Sequence, residues 1–154
     1  MSEASVMARH PSGQSAVQVR KHTWTVPLVS GSVRAARERT ERSLVLFGLE
    51  STSALFGAVL LVVSELVTNA VRHAQRSPDA EVTLHMSDHM LLVAVADLDP
   101  RPVTLADAAR TAGQGLRTVA DLARTFGGDV RIEPCSGGLG KTVVVRFILP
   151  GGTP

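Results

Sequence analysis

The sequence predicts an α+β fold: a two-layer α/β sandwich with a mostly antiparallel sheet and its helices on one face. Three observations carry that expectation. The apolar period switches along the chain in the order β-α-α-β-β-loop-α-β-β. The strand pairs are separated by short turns, which antiparallel neighbours permit and parallel ones do not. The regular β-α alternation of an open parallel nucleotide-binding sheet is missing. With 154 residues, 44% of them hydrophobic and 19% charged, the chain has material for one packed domain.

Residues 1–18 are rich in Ser, Ala and Gln without an apolar period and are predicted to be a disordered N-terminal tail. Residues 19–150 make the expected domain, and 151–154 a short C-terminal tail. Residues 22–28 (HTWTVPL) alternate, with Trp24, Val26 and Leu28 on one face. Pro27 has no N–H to give a ladder, so this strand is expected at an edge or near its end. Ser32 to Leu46 shows helical spacing through Val33, Ala36 and Leu44 beside a charged run, and Gly48 closes it. Thr52 or Ser53 can cap a longer helix running to about His73 or Ala74, with Pro78 beyond its end.

Residues 81–86 and 90–96 read as an antiparallel hairpin around Ser87-Asp88-His89. Residues 97–112 have little pattern beyond room for one turn of helix near 105–110. Gly113-Gln114-Gly115 then opens a third helix, with Leu116, Val119, Ala120, Leu122, Ala123 and Phe126 at helical spacing, and Gly127-Gly128 ends it. Residues 130–133 and 142–149 are the last two strands.

Composition narrows the function classes. Cys135 is the only cysteine, so no internal disulfide or thiolate cluster can form. A net charge of +2, 3% aromatic residues and no Tyr argue against direct nucleic-acid binding. The basic excess lies in the first 42 residues, where an arginine-bearing helix face is either solvated or meets an acidic partner. The longest apolar run, Ala54 to Val63, is about half the roughly 20 residues a spanning helix needs, so no membrane segment is expected. No signal peptide is apparent, and the expected location is cytoplasmic.

Chemistry points first to the second helix. Glu65, Asn69 and His73 recur every four residues, putting a carboxylate, an amide and an imidazole on one stripe. Val59, Val63, Leu66, Val67 and Ala70 occupy the opposite arc. Any one of the three polar residues fits a solvated stripe; together, on so apolar a helix, they argue for a site. An ionised carboxylate there is costly unless paired, hydrated or bound to a cation.

Asp97 follows the run Leu92-Val93-Ala94-Val95-Ala96, where it can be a turn residue or an acceptor for an exocyclic amine such as the adenine N6. Gly113 and Gly115 at a helix start allow close backbone approach to an anion, although G-x-G-x-x-G fails at Thr118. Gly140-Lys141-Thr142 mimics the end of a P-loop, but Cys135 stands where its first glycine belongs and a strand follows instead of a helix. The spacings of His73, His85, His89 and Cys135 do not make a zinc site. No G-x-S-x-G elbow is present to support a nucleophilic serine.

These residues together resemble a family. The run from Glu65 to Ala74 (ELVTNAVRHA) resembles the N box of the histidine-kinase-like (GHKL) ATPases. Asp97 resembles the aspartate of their first glycine box, Gly113-Gln114-Gly115-Leu116 their second, and Gly140-Lys141-Thr142 the closing box. The motifs stand in family order and span nearly the whole chain. Without a dimerisation helix bearing a phosphorylatable histidine, the chain is most similar to the small bacterial anti-sigma-factor serine/threonine kinases.

The resemblance implies a Bergerat-type fold with ATP between sheet and helices. It implies that Asn69 holds Mg²⁺ through ATP, and that Asp97 reads the adenine amine with support from Thr142. It places Gly113, Gly115 and Leu116 in the nucleotide-binding set and makes Glu65 the general base on a serine hydroxyl. The implied partners are an anti-sigma antagonist protein, which is the substrate, and a sigma factor; the implied assembly is a homodimer. One departure stands out. The family's first box continues as D-x-G-x-G, whereas here Asp97-Leu98-Asp99-Pro100-Arg101-Pro102 holds no glycine. That departure motivates a second reading, a non-catalytic partner-binding module of the same fold with weak or lost ATP binding.

Overall fold

The structure, a computed structural model, describes residues 6–7, 18–101, 114–135 and 139–150. In chain order these form β1 (Val6–Met7), β2 (Gln18–Pro27), α1 (Ser32–Leu46), α2 (Ala54–His73), β3 (Asp79–Met86), β4 (Met90–Asp97), α3 (Gln114–Thr125), β5 (Asp129–Pro134) and β6 (Lys141–Ile148). One antiparallel sheet runs β1-β2-β3-β4-β6-β5. The α+β expectation therefore holds, and the order of the larger elements is the one read from the sequence. The first long strand starts at Gln18, four residues earlier than its alternation suggests, and its start pairs with the two-residue β1.

Strand alternation decides which face carries the core. In β4, Leu91, Val93 and Val95 are buried while Met90, Leu92, Ala94 and Ala96 face the other side half-buried. Trp24 and Val26 of β2 and Val82 and Leu84 of β3 join the same buried layer. Pro27 is the last residue of β2, where a missing N–H costs the ladder least.

The helices cover that layer. Ser53 caps α2, its hydroxyl accepting the Phe56 N–H at 3.2 Å. Along α2, Val59, Val62, Val63 and Val67 are fully buried, each worth about 1.5–3 kcal/mol of transfer free energy. α2 packs against β4 with α1 and α3 as its neighbours in the helix layer. Its 20 residues are long and apolar enough to cross a bilayer by length and composition, beyond the shorter run read from the sequence. That apolarity is accounted for here by the core it fills. α1 instead buries a stripe of small residues, Ser32, Ala36, Thr40 and Ser43, together with Leu44. Thr40 satisfies its hydroxyl on the Ala36 carbonyl at 2.8 Å.

Candidate functional site

The polar stripe of α2 is only half-covered. Glu65 and Asn69 are intermediate in burial, and His73, one turn further, is exposed. The first turn of α3 lies against the first two. A Cβ placed on Gly115 would fall closer than 3.0 Å to Glu65 Oε2 and 3.7 Å from Asn69 Oδ1. The Glu65 carboxylate thus occupies the space that any larger residue at 115 would need, with Asn69 in ordinary contact beside it. Neither the Glu65 carboxylate nor the Asn69 amide has a hydrogen-bond or ion-pair partner among the described residues. The helix start lies beside them, and the first N–H groups of a helix have no intrahelical partner and stand at the positive end of its dipole. Gly113, the other glycine expected here, lies outside the described residues. Leu116 is buried in the core, where it anchors α3.

Asp97 occupies the fourth inward position of β4, after Leu91, Val93 and Val95, so strand parity carries a carboxylate into the buried layer. Its register partner on β6 is Lys141. The lysine Nζ lies 3.0 Å from Oδ2 and 3.3 Å from Oδ1, and the Asp99 N–H donates to Oδ1 at 3.0 Å. Gly140 makes this approach possible. At φ +85 its own Cβ position overlaps the Asp97 carbonyl oxygen, so only glycine lets β6 enter beside Asp97.

Thr142 is not brought to Asp97. It pairs with Ala96, and successive strand residues alternate faces, so its side chain is on the face away from Asp97. There its hydroxyl lies 3.6 Å from Cys135 Sγ. The polar partner expected across the ladder from Asp97 is one residue earlier and is a cation.

The glycine-free stretch after Asp97 is a polar strap, an arrangement of Asp99 and Arg101 that the sequence does not spell out. Asp99 is almost fully buried, its side chain 1% exposed. The Arg101 guanidinium grips it at both oxygens, Nε to Oδ1 at 2.9 Å and Nη2 to Oδ2 at 2.7 Å. The backbone N–H groups of Arg101 and Arg76 donate to it as well, at 3.1 and 3.3 Å. The Arg101 hydrogen bonds hold the Asp99 carboxyl far below the usual carboxylate range, against the opposing pull of burial. The same pairing raises the guanidinium pKa of Arg101. Arg101 also donates to the His73 carbonyl, a cation at the negative end of α2. Leu98 N–H donates to the Ser77 hydroxyl at 2.9 Å. The end of β4 is thereby tied to the exit of α2, which puts Asp97 at the same end of the molecule as Asn69. The one sequence signal for this strap is the alternation Asp97-x-Asp99-x-Arg101.

A family comparison decides the class. The family of histidine kinase-, DNA gyrase B- and HSP90-like ATPases matches residues 57–151, more than half of the chain, from within α2 through β6. The chain belongs to this family. It matches none of the curated proteins. Among solved structures it is similar to the RsbU and RsbW domains of Rv1364c from Mycobacterium tuberculosis, with a TM-score of 0.57 and 17% identity over 87% of this chain. It spans 34% of that longer chain. It is also similar to the SiaB–SiaC complex from Pseudomonas aeruginosa, with a TM-score of 0.54 and 15% identity, covering 83% of this chain and 89% of that one. At these identities the likeness is one of fold.

For this GHKL-type ATPase domain, the residues fit the metal and phosphate end of Mg-ATP better than the base end. Glu65 and Asn69 are partly exposed and, among the described residues, unpartnered beside a helix start, whereas Asp97 already carries a cation. Among the described residues no three His, Cys, Asp or Glu side chains gather as a metal cage. A divalent ion at Asn69 would take its remaining oxygens from phosphate and water.

Proposed function

We propose that this protein binds ATP and acts as a regulatory serine/threonine kinase of the anti-sigma type. It would phosphorylate an antagonist protein and, in the alternative complex, sequester a sigma factor. The observation that carries the reading is the contact of Gly115 with Glu65 and Asn69. It assembles a carboxylate, an amide oxygen and a helix start at one point, as phosphoryl transfer to a hydroxyl requires. Asn69 Oδ1 would hold Mg²⁺, whose charge neutralises the phosphates when bound. The N–H groups at the start of α3 receive phosphate oxygens. Glu65 accepts the proton of the substrate serine, and Asp97 accepts the exocyclic amine of the base. The same reading makes the protein a cytoplasmic homodimer, with Val45 and Leu46 of α1, both exposed, as apolar surface available for self-association.

Calorimetric titration with ATP, with and without Mg²⁺, tests the reading. Asn69→Ala is expected to abolish Mg-dependent binding in a folded protein. Glu65→Gln is expected to keep binding and stop transfer of labelled phosphate to a protein acceptor; retained turnover would reject Glu65 as the base.

The Asp97–Lys141 pair favours a second reading, a non-catalytic module that captures its partner without nucleotide. Partner capture in the absence of ATP, with no phosphorylated product when ATP is added, would select it.

A further inference from the structure

We infer that Lys141 gates the base end of this site: its ammonium covers the Asp97 carboxylate, and a nucleotide base must displace it to be read. The inference rests on the proposal that Asp97 reads the base. Both Asp97 oxygens carry a donor in the resting protein, Oδ2 from Lys141 and Oδ1 from Lys141 and the Asp99 N–H. The Lys141 side chain keeps 17% of its surface against 6% for Asp97, so the carboxylate is the more enclosed member of the pair.

The pairing is built into the backbone. The two residues are register partners, and the close passage of Gly140 brings the strands together at this point. Exchange is unfavourable to the ligand, because a neutral exocyclic amine replaces a charge-assisted hydrogen bond. Asp99 cannot accept the released ammonium, since Arg101 and the Arg76 N–H already hold both its oxygens. Lys141 itself can leave, being a compact charge on a flexible four-carbon stem. The gate therefore lowers nucleotide affinity without altering the phosphate end.

The test is calorimetric titration of the full chain, as wild type, Lys141→Met, Lys141→Thr and Lys141→Arg, with Mg-ATP and with Mg-tripolyphosphate. The melting temperature of each unliganded protein is recorded alongside. Met and Thr both remove the charge, so either suffices if the other fails to fold. The charge-removing variants are expected to melt lower than wild type, because Asp97 has lost its cation, yet to bind ATP roughly tenfold more tightly. Their affinity for tripolyphosphate, which has no base, is expected not to rise. Lys141→Arg is expected to bind ATP like wild type. ATP binding that is equal or weaker in the Met and Thr variants would overturn the gate while leaving ATP binding intact. Tighter binding by the Arg variant would assign the effect to packing and also overturn it. Absence of ATP binding in all four proteins would overturn the ATP proposal and the gate together.

Discussion

Gly115 of α3 lies against the carboxylate of Glu65 on α2, with no room between them for a methyl group. The obstructing atom is the tip of a flexible side chain, so Gly115→Ala is expected to fold and to displace the carboxylate instead. A base moved by about an ångström loses most of its advantage, and phosphotransfer should fall on the order of 100-fold with ATP affinity changed far less. Single-turnover kinetics beside a binding titration separates the two. Unchanged transfer would show that Glu65 finds its working position elsewhere.

Arg101 should matter for stability although half its side chain is exposed. Truncating it to Ala leaves Asp99 buried with only backbone donors, and removes the cation at the His73 carbonyl. A clear loss of stability is expected by denaturant unfolding. The double variant Arg101→Ala with Asp99→Asn should recover part of it, because the uncompensated charge is gone. A double variant as unstable as the sum of the two singles would show that the pair is uncoupled.

The same carboxylate sets an acid limit. Because its folded-state pKa is depressed, Asp99 contributes stability that is complete above the ordinary aspartate value of about 4 and drains away as pH falls below it. Thermal melts from pH 6 down to pH 2 should therefore show a slope that Asp99→Asn reduces. An identical slope in the variant would assign the acid sensitivity to other carboxylates.

Ser53 gives a control remote from this chemistry. Its hydroxyl accepts the Phe56 N–H at the start of α2, so Ser53→Ala should cost about 1 kcal/mol. Since α2 carries Glu65 and Asn69 about three and four turns further on, ATP affinity measured well below the melting temperature should not change. A large loss of affinity would mean that fraying of the helix start reaches the site.

Much of this was legible in local periodicity. The four-residue stripe of Glu65, Asn69 and His73, the Ser53 cap and the order of the larger elements are properties of single segments, and helix or strand period fixes which face each residue takes. Parity alone sends Asp97 inward with Leu91, Val93 and Val95. What Asp97 meets there depends on the register of β6, and a one-residue slip exchanges Lys141 for Thr142. That register follows from the close passage of Gly140 over Asp97, an approach between residues far apart in the chain that no local pattern reports. The Asp99–Arg101 strap was equally hidden, because its anchors, the His73 carbonyl and the Arg76 N–H, belong to the exit of another element.

The register makes a prediction about Thr142. Its side chain is on the sheet face away from Asp97, beside Cys135, so Thr142→Val replaces a hydroxyl by a methyl of similar shape outside the layer between sheet and helices. β-branching is kept, which preserves the fit to the strand. The hydroxyl gives up its 3.6 Å approach to Cys135 Sγ, a weak interaction at most. ATP affinity is therefore expected to stay within about twofold of wild type, a change under about 0.5 kcal/mol, while Lys141→Met and Lys141→Thr raise it roughly tenfold. A loss of roughly tenfold or more in Thr142→Val would place Thr142, and not Lys141, against the base, and would require β6 to slide by one residue when nucleotide binds.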